Sequence, residues 1–253
     1  METILDNFNG MLWVWITIAV VTFITLFFIK APFGRHVRKD FGPLMSNKWG
    51  WVIMEFPSIA LICLFYFLGN GQKDAYTPFF VALWVFHYFN RTFIFPFRLR
   101  DTNKKIPVAI VLSAIFFNLM NGSTNGIYFG YLADYPAQYY LDPRFIVGVG
   151  LFFIGWSINF WADHRLIHLR KPGETTYVLP KGGLFEYVAS PNLFGEIIEW
   201  IGFAIAVNSL ATWGFAIWTC ANLIPRCRDH YRWSVAKFEN YPTQRKILIP
   251  FIW

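Results

Sequence analysis

The sequence predicts an all-α, multi-pass integral membrane protein with seven transmembrane helices, N-terminus outside and C-terminus in the cytoplasm. Three observations predict it. Of the 253 residues, 56% are hydrophobic and only 15% are charged, where a soluble domain of this size carries about 25% charged residues. The apolar residues gather into runs near the roughly 20 residues that cross a hydrocarbon core. The basic residues gather between those runs, mostly on one side once the runs alternate across a bilayer.

The runs cover 11–29, 51–68, 78–97, 106–120, 145–161, 193–208 and 210–224. The first follows Glu2 and Asp6 and precedes Lys30 without a small-residue cleavage site, so it reads as a retained span and not a signal peptide. The fourth and the last two are short, which suits tilted or partly shielded helices. A tight helical hairpin through Asn208 and Ser209 accounts for 193–224. With the N-terminus outside, segments 30–48, 98–105, 162–192 and the tail from 225 fall inside and hold nineteen of the 22 Lys and Arg residues. Lys73 and Arg144 fall outside, and Arg91 lies within a span. That asymmetry sets the orientation. The outer loop 121–144 is rich in tyrosine, as expected at the headgroup level, and Asn121-Gly-Ser123 is a glycosylation sequon that matters only in a secretory pathway. No Gly/Ser linker, low-complexity tract or internal repeat divides the chain, so residues 1–253 read as a single membrane domain.

The net charge of +7 belongs to this topology. Nothing resembles a recognition helix or an aromatic and basic RNA platform, so no nucleic-acid partner is expected. Cys63, Cys220 and Cys227 offer neither a disulfide framework nor metal spacing, and no metal site is expected. A G-x-G-x-x-G turn, an H-E-x-x-H helix and a G-x-S-x-G elbow are all missing from the sequence, and the last span has no lysine for a retinal Schiff base. Membrane lipids are the expected surroundings, and no obligate protein partner is evident.

Ionisable groups at membrane depth are costly and are retained mostly where they bind or react with something. Glu55 lies early in the second run, within W-V-I-M-E-F-P-S. It is either an interfacial glutamate satisfied by a neighbouring helix or a carboxylic acid held near a ligand. The third run holds His87, Tyr88, Asn90 and Arg91; Tyr88 and Arg91 are three apart and His87 and Arg91 four apart, so an α-helix stacks them on one side. Arg91 needs an anion, a carboxylate or water beside it: a structural pair with Glu55 or Glu196, or a negatively charged cofactor. Asn159 and Asp163 share a helical face, and Asn192, Glu196 and Glu199 repeat that spacing. Arg170, Lys171, Tyr177, Arg226, Arg228, His230 and Arg232 add cations and hydrogen-bonding groups on the inner side. With Asn159, Asp163 and Asn192 they are able to line a polar pocket open to the cytoplasm, where arginine forks match phosphates; positive-inside topology alone also supplies several of them. Gly182 and Gly183 read as a close backbone approach to a ligand or as a plain turn.

Several long stretches resemble the steroid 5α-reductase family in order and register. They are L-R-K-P-G-E (169–174), G-G-L-F-E-Y-V (182–188) and N-L-F-G-E-I-I-E-W (192–200). M-E-F-P-S (54–58), H-Y-F-N-R-T (87–92), I-N-F-W-A-D (158–163) and the end F-E-N-Y-P-T-Q-R-K-I-L-I-P-F-I-W (238–253) are similar to further family segments. The resemblance runs from about residue 50 to the end. Asn90 stands where a His is usual, Trp161 and Ala162 replace His-Ser, and Ser234 stands where Tyr is expected; these departures bear on substrate specificity more than on reaction class.

The resemblance implies seven helices around NADPH and reduction of the 4,5 double bond of 3-oxo-4-ene steroids to 5α-steroids. Glu55 and Tyr88 match the pair that engages the steroid 3-ketone. Asn159, Asp163, Arg170, Tyr177, Asn192, Glu196, Arg226 and His230 match positions associated with NADPH, and Arg91 joins them as a cation. An apolar steroid is then expected to enter from lipid. A bacterial inner membrane, in a bacterial homologue, and an endoplasmic reticulum both suit the chain. Rival readings are a trans-2-enoyl-CoA or sterol double-bond reductase, an isoprenylcysteine-type methyltransferase binding S-adenosylmethionine, and a non-catalytic transporter gated by Arg91–Glu pairs. The Glu55 and His87–Arg91 segments favour the steroid enzymes.

Overall fold

The computed structural model describes residues 2–30, 42–72, 74–100, 103–170, 174 and 176–253. Arg35, Arg38, Lys39, Lys73 and Lys171, which the topology reading used, lie outside the described residues. In chain order the elements are α1 (Glu2–Leu26), β1 (Leu44–Ser46), α2 (Asn47–Leu68) and α3 (Tyr76–Phe89). A π-helical turn, Asn90–Ile94, joins α3 to α4 (Phe95–Arg98), followed by β2 (Lys105–Pro107) and α5 (Val108–Ile127). A second π turn, Tyr128–Leu132, extends α5, and α6 (Pro143–His168), α7 (Pro191–Val207) and α8 (Leu210–Lys237) complete the chain. Among the described residues, Leu5–Leu26, Asn47–Leu68, Val108–Leu132 and Pro143–His168 are long and apolar enough to cross a membrane. The third run is divided between α3, the π turn and α4, and the last two form α7 and the longer, more polar α8.

The chain divides into two compact units, a terminal unit of Met1–Ala31 with Pro143–Trp253 and a central unit of Pro32–Asp142. In the central unit α2 and α5 run parallel and very close. A Cβ on Gly122 would sit 3.2 Å from the Leu61 Cβ, and one on Gly126 2.9 Å from the Leu61 carbonyl oxygen. Gly130 meets the Phe65 carbonyl in the same row. Only hydrogen at these positions permits the approach. The antiparallel pair of β1 and β2, with Met45 opposite Ile106, ties together the strands that lead into α2 and α5. At the other end Asp74 organises the tyrosine-rich loop. Its Oδ1 accepts from the Tyr76 and Thr77 amides at 2.6 and 2.8 Å, and its Oδ2 accepts from the Tyr135 amide at 3.2 Å. Burial pushes the Tyr135 hydroxyl above the ordinary tyrosine range, so it stays neutral beside Tyr128, 3.3 Å away. Asn121 is not a glycan acceptor, because it lies within α5, is 1% exposed and donates to the Phe117 carbonyl at 2.8 Å.

In the terminal unit α6 and α7 are antiparallel and meet through glycines on both sides. A Cβ on Gly195 would lie 2.6 Å from the Gly155 carbonyl oxygen, and one on Gly202 2.7 Å from that of Gly148. The chain turns between α7 and α8 on Asn208, left-handed at φ 54. Ser209 then caps α8, exchanging hydrogen bonds with Thr212. α1 packs on α8: the Trp15 and Trp218 rings stand 4.5 Å apart, and Trp218 Nε1 donates to the Trp15 carbonyl at 3.1 Å. The C-terminal segment is stitched to the loop before α7, where the Lys246 amide donates to the Tyr187 carbonyl at 2.7 Å and Ala189 donates back at 2.9 Å.

Candidate active site

The predicted site residues fall into two sets, one in each unit. In the central unit Glu55 sits half-buried on α2, and His87 and Tyr88 are buried on α3. One turn beyond Glu55, Ser58 Oγ accepts from Trp84 Nε1 at 3.2 Å. The Trp84 ring stacks on Tyr88 at 5.2 Å and 27°, so the phenol's position is fixed from α2 through a neighbouring indole.

Asn118 on α5 completes this set. Its Nδ2 donates to the Met54 carbonyl at 2.6 Å and to Glu55 Oε2 at 3.2 Å, and its Oδ1 accepts from the Tyr88 hydroxyl at 3.5 Å. No motif of the sequence reading contains it. The signal that points to it is the row Asn118, Gly122, Gly126, Gly130, four apart along the face of α5 and of the π turn after it that meets α2.

Arg91 lies in the π turn, with its guanidinium over the Trp51 ring at 4.6 Å and the Phe95 ring at 4.8 Å. The backbone stays α-helical through Phe89 and Asn90, and the widened turn closes where the Phe95 amide donates to the Asn90 carbonyl. The aromatic faces supply the negative potential that a membrane-depth cation requires. Asn90 and Thr92 are buried beside it, and Asn90 Oδ1 and Thr92 Oγ1 have no hydrogen-bond partner among the described residues.

In the terminal unit the glycine contacts bring α6 and α7 close enough for short polar side chains to meet. Asn192 Nδ2 donates to Asp163 Oδ1 at 2.9 Å; Asn159 Nδ2 donates to the Asn192 carbonyl at 2.9 Å and to Glu196 Oε2 at 3.3 Å. All four predicted residues of these helices thus form one network, and Glu199, a turn further along α7, is fully buried. His230 Nδ1 stands 3.4 Å from Ser190 Oγ at the start of α7. Half-buried Arg226 lies one turn before His230 on α8. Between them Cys227 is buried, and burial pushes its thiol up to about 12, which keeps it protonated and inert.

Arg170 and Tyr177 also meet, with the guanidinium 5.5 Å from the ring, and Tyr177 packs edge-on against Trp233 of α8 at 4.7 Å. Arg228 is engaged elsewhere, since its Nη1 donates to the Phe27 carbonyl at 3.1 Å, at the end of α1. Gly182 and Gly183 take positive φ values of 87 and 57 and open the 3-10 turn Gly183–Glu186. An apolar cleft of about 280 Å3, lined by Ser157, Ile158, Trp161, Gly183 and Leu184, contains none of the predicted site residues.

Comparison with known proteins identifies the group to which this arrangement belongs. A family profile described as 3-oxo-5-alpha-steroid 4-dehydrogenase matches residues 104–253. The chain is 40% identical over 244 residues to a protein named steroid 5-alpha-reductase DET2 from Gossypium hirsutum, covering 93% of each chain. It is 37% identical over 239 residues to 3-oxo-5-alpha-steroid 4-dehydrogenase 1 of Bos taurus, again covering 93% of each. The human protein of that name is 39% identical over 225 residues, 88% of this chain and 86% of the relative. The chain belongs to the steroid 5α-reductase family. This is a family of oxidoreductases, and the four long apolar helices among the described residues suit a multi-pass membrane protein. Plants and mammals supply these relatives, which gives a bacterial origin no support.

Proposed function

We propose that this chain catalyses the NADPH-dependent reduction of the 4,5 double bond of 3-oxo-4-ene steroids to 5α-steroids. The observation that carries the reading is the set of buried Tyr88 and Asn118 with half-buried Glu55, held in a helical unit whose outer surface is apolar, in a chain of the steroid 5α-reductase family.

Conjugation in a 4-ene-3-one makes carbon 5 electrophilic, and charge builds on the ketone oxygen as carbon 5 accepts a hydride. Tyr88 donates its hydroxyl proton to that oxygen in a hydrogen bond, and Glu55 in its acid form backs it. Donors preset at a developing oxyanion lower the barrier most in a dry site. The enolate then takes a proton at carbon 4. NADPH, when bound, supplies the hydride. The donor set in the terminal unit fits that cofactor: Asn192, Asp163, Asn159 and Glu196 offer both donors and acceptors to an amide. Arg170, Arg226 and His230 offer cationic groups to phosphates, and Tyr177 a ring for stacking. Arg91 is assigned to the same cofactor set as a cation steadied on Trp51 and Phe95. The seven apolar runs and the positive-inside asymmetry support seven spans with the C-terminus in the cytoplasm. The steroid enters from the lipid that surrounds them.

Steady-state kinetics of two variants test the assignment. Tyr88→Phe removes most turnover, on the order of the 10²–10³-fold seen when one oxyanion donor is lost, and Glu55→Gln weakens both turnover and steroid binding. Wild-type kinetics in both variants would end it.

A further inference from the structure

We propose that Asn118 is a positioning residue for enone reduction, whose single amide holds the Tyr88 hydroxyl and the Glu55 carboxyl in register with each other. The proposal rests on the reading of Tyr88 and Glu55 given above and adds the residue that sets their geometry.

The orientation of the amide follows from its surroundings. A backbone carbonyl only accepts, so the atom 2.6 Å from the Met54 oxygen is the NH2 group of Asn118. The same NH2 group lies 3.2 Å from Glu55 Oε2, which therefore acts as an acceptor. In the acid form of Glu55 the proton then sits on Oε1. The opposite atom, Oδ1, only accepts, and it lies 3.5 Å from the Tyr88 hydroxyl, the donor of that contact. That last bond is at the long limit of a hydrogen bond. The hydroxyl therefore leaves it at little cost when a ketone oxygen arrives. One planar group thus specifies which oxygen of Glu55 carries the proton and holds the phenol in register with it.

Three features hold Asn118 itself in place. It is 2% exposed. It is anchored by the Met54 carbonyl, which belongs to the residue just before Glu55 on the same helix. It also begins the glycine row that brings α5 against α2, with a Cβ on Gly126 only 2.9 Å from the Leu61 carbonyl oxygen. Glu55 from α2 and Tyr88 from α3 touch Asn118, and the His87 ring lies 5.2 Å from that of Tyr88.

The test is a mutant cycle on the purified full chain. Asn118→Leu keeps the volume and removes every polar contact. We expect kcat to fall about 10- to 100-fold, the scale of a small misplacement of reacting groups, with KM for testosterone changed far less and NADPH affinity unchanged. In a Tyr88→Phe background the same substitution changes the residual rate by no more than about twofold, because residues that act as a unit are not additive. Should Asn118→Leu fail to bind NADPH and prove unfolded, Asn118→Asp takes its place in the cycle. It keeps the shape and the acceptor facing Tyr88 while losing the donor to Glu55 and Met54. Wild-type kcat in a folded variant, or an undiminished loss in the Tyr88→Phe background, would overturn the proposal and leave the wider reading standing. Failure of the unaltered protein to reduce any 4-ene-3-ketosteroid with NADPH would overturn both.

Discussion

Asn192 shows how much depends on single amides in this chain. Its side chain donates to Asp163 and its backbone carbonyl accepts from Asn159, so one residue ties α7 to two points on α6. A hydrogen bond to a charged group contributes about 1.5–3 kcal/mol. Asn192→Leu leaves Asp163 without this donor, and NADPH affinity, read by equilibrium binding, is expected to fall roughly 10- to 100-fold by that scale. Unchanged affinity would remove the α6–α7 network from the cofactor set. The shared helical faces of Asn159 with Asp163 and of Asn192 with Glu196 were legible from spacing alone. Partners on different helices were not. Asn118 meets Tyr88 across 30 positions and Glu55 across 63, and no local pattern encodes that. Arg228 shows the converse, a cation grouped with phosphate ligands by sequence and found holding the end of α1.

At the scale of elements, close helix approach does the positioning. Without a hydrophobic drive between helices in lipid, packing of small residues lets backbones come together. Gly155 and Gly195 face each other at the level of Asn159, which is why that amide reaches Glu196 and the Asn192 carbonyl. A side chain at Gly155 would collide with the backbone of Gly195 and Glu199, and rigid backbone cannot yield as a flexible side chain does. Gly155→Leu is therefore expected to cost about 3 kcal/mol or more, the upper end of overpacking effects, lowering the thermal midpoint in detergent and abolishing NADPH binding. Gly150→Ala, with open space at its Cβ position, leaves both unchanged. If Gly155→Leu behaves like Gly150→Ala, the close α6–α7 contact is not what forms the network. The helical segments were legible as apolar runs, and the Asn208–Ser209 turn as a break between two of them. The π turn at Asn90–Ile94 was not, because period counting assumes 3.6 residues per turn and a five-residue departure leaves no compositional mark.

For the whole molecule, composition made the membrane character plain, and family-like stretches along the C-terminal half made the reaction class legible. The two units were hidden, since the terminal unit is assembled from both ends of the chain and no linker marks its borders. Span counting also meets a physical limit here. α7 has 17 residues and α8 carries its polar half on the same helix as its apolar half, so among the described residues length and hydropathy recognise four spans. The proposed reaction is the transfer of a hydride from NADPH to carbon 5 of a 4-ene-3-ketosteroid. The most direct test of that claim follows the hydride. The purified chain is given testosterone and NADPH deuterated at the transferable position of the nicotinamide, and the product is read by mass spectrometry and NMR. The account predicts a 5α-reduced steroid carrying one deuterium at carbon 5. A product without that label, or no product while NADPH remains bound, would contradict it.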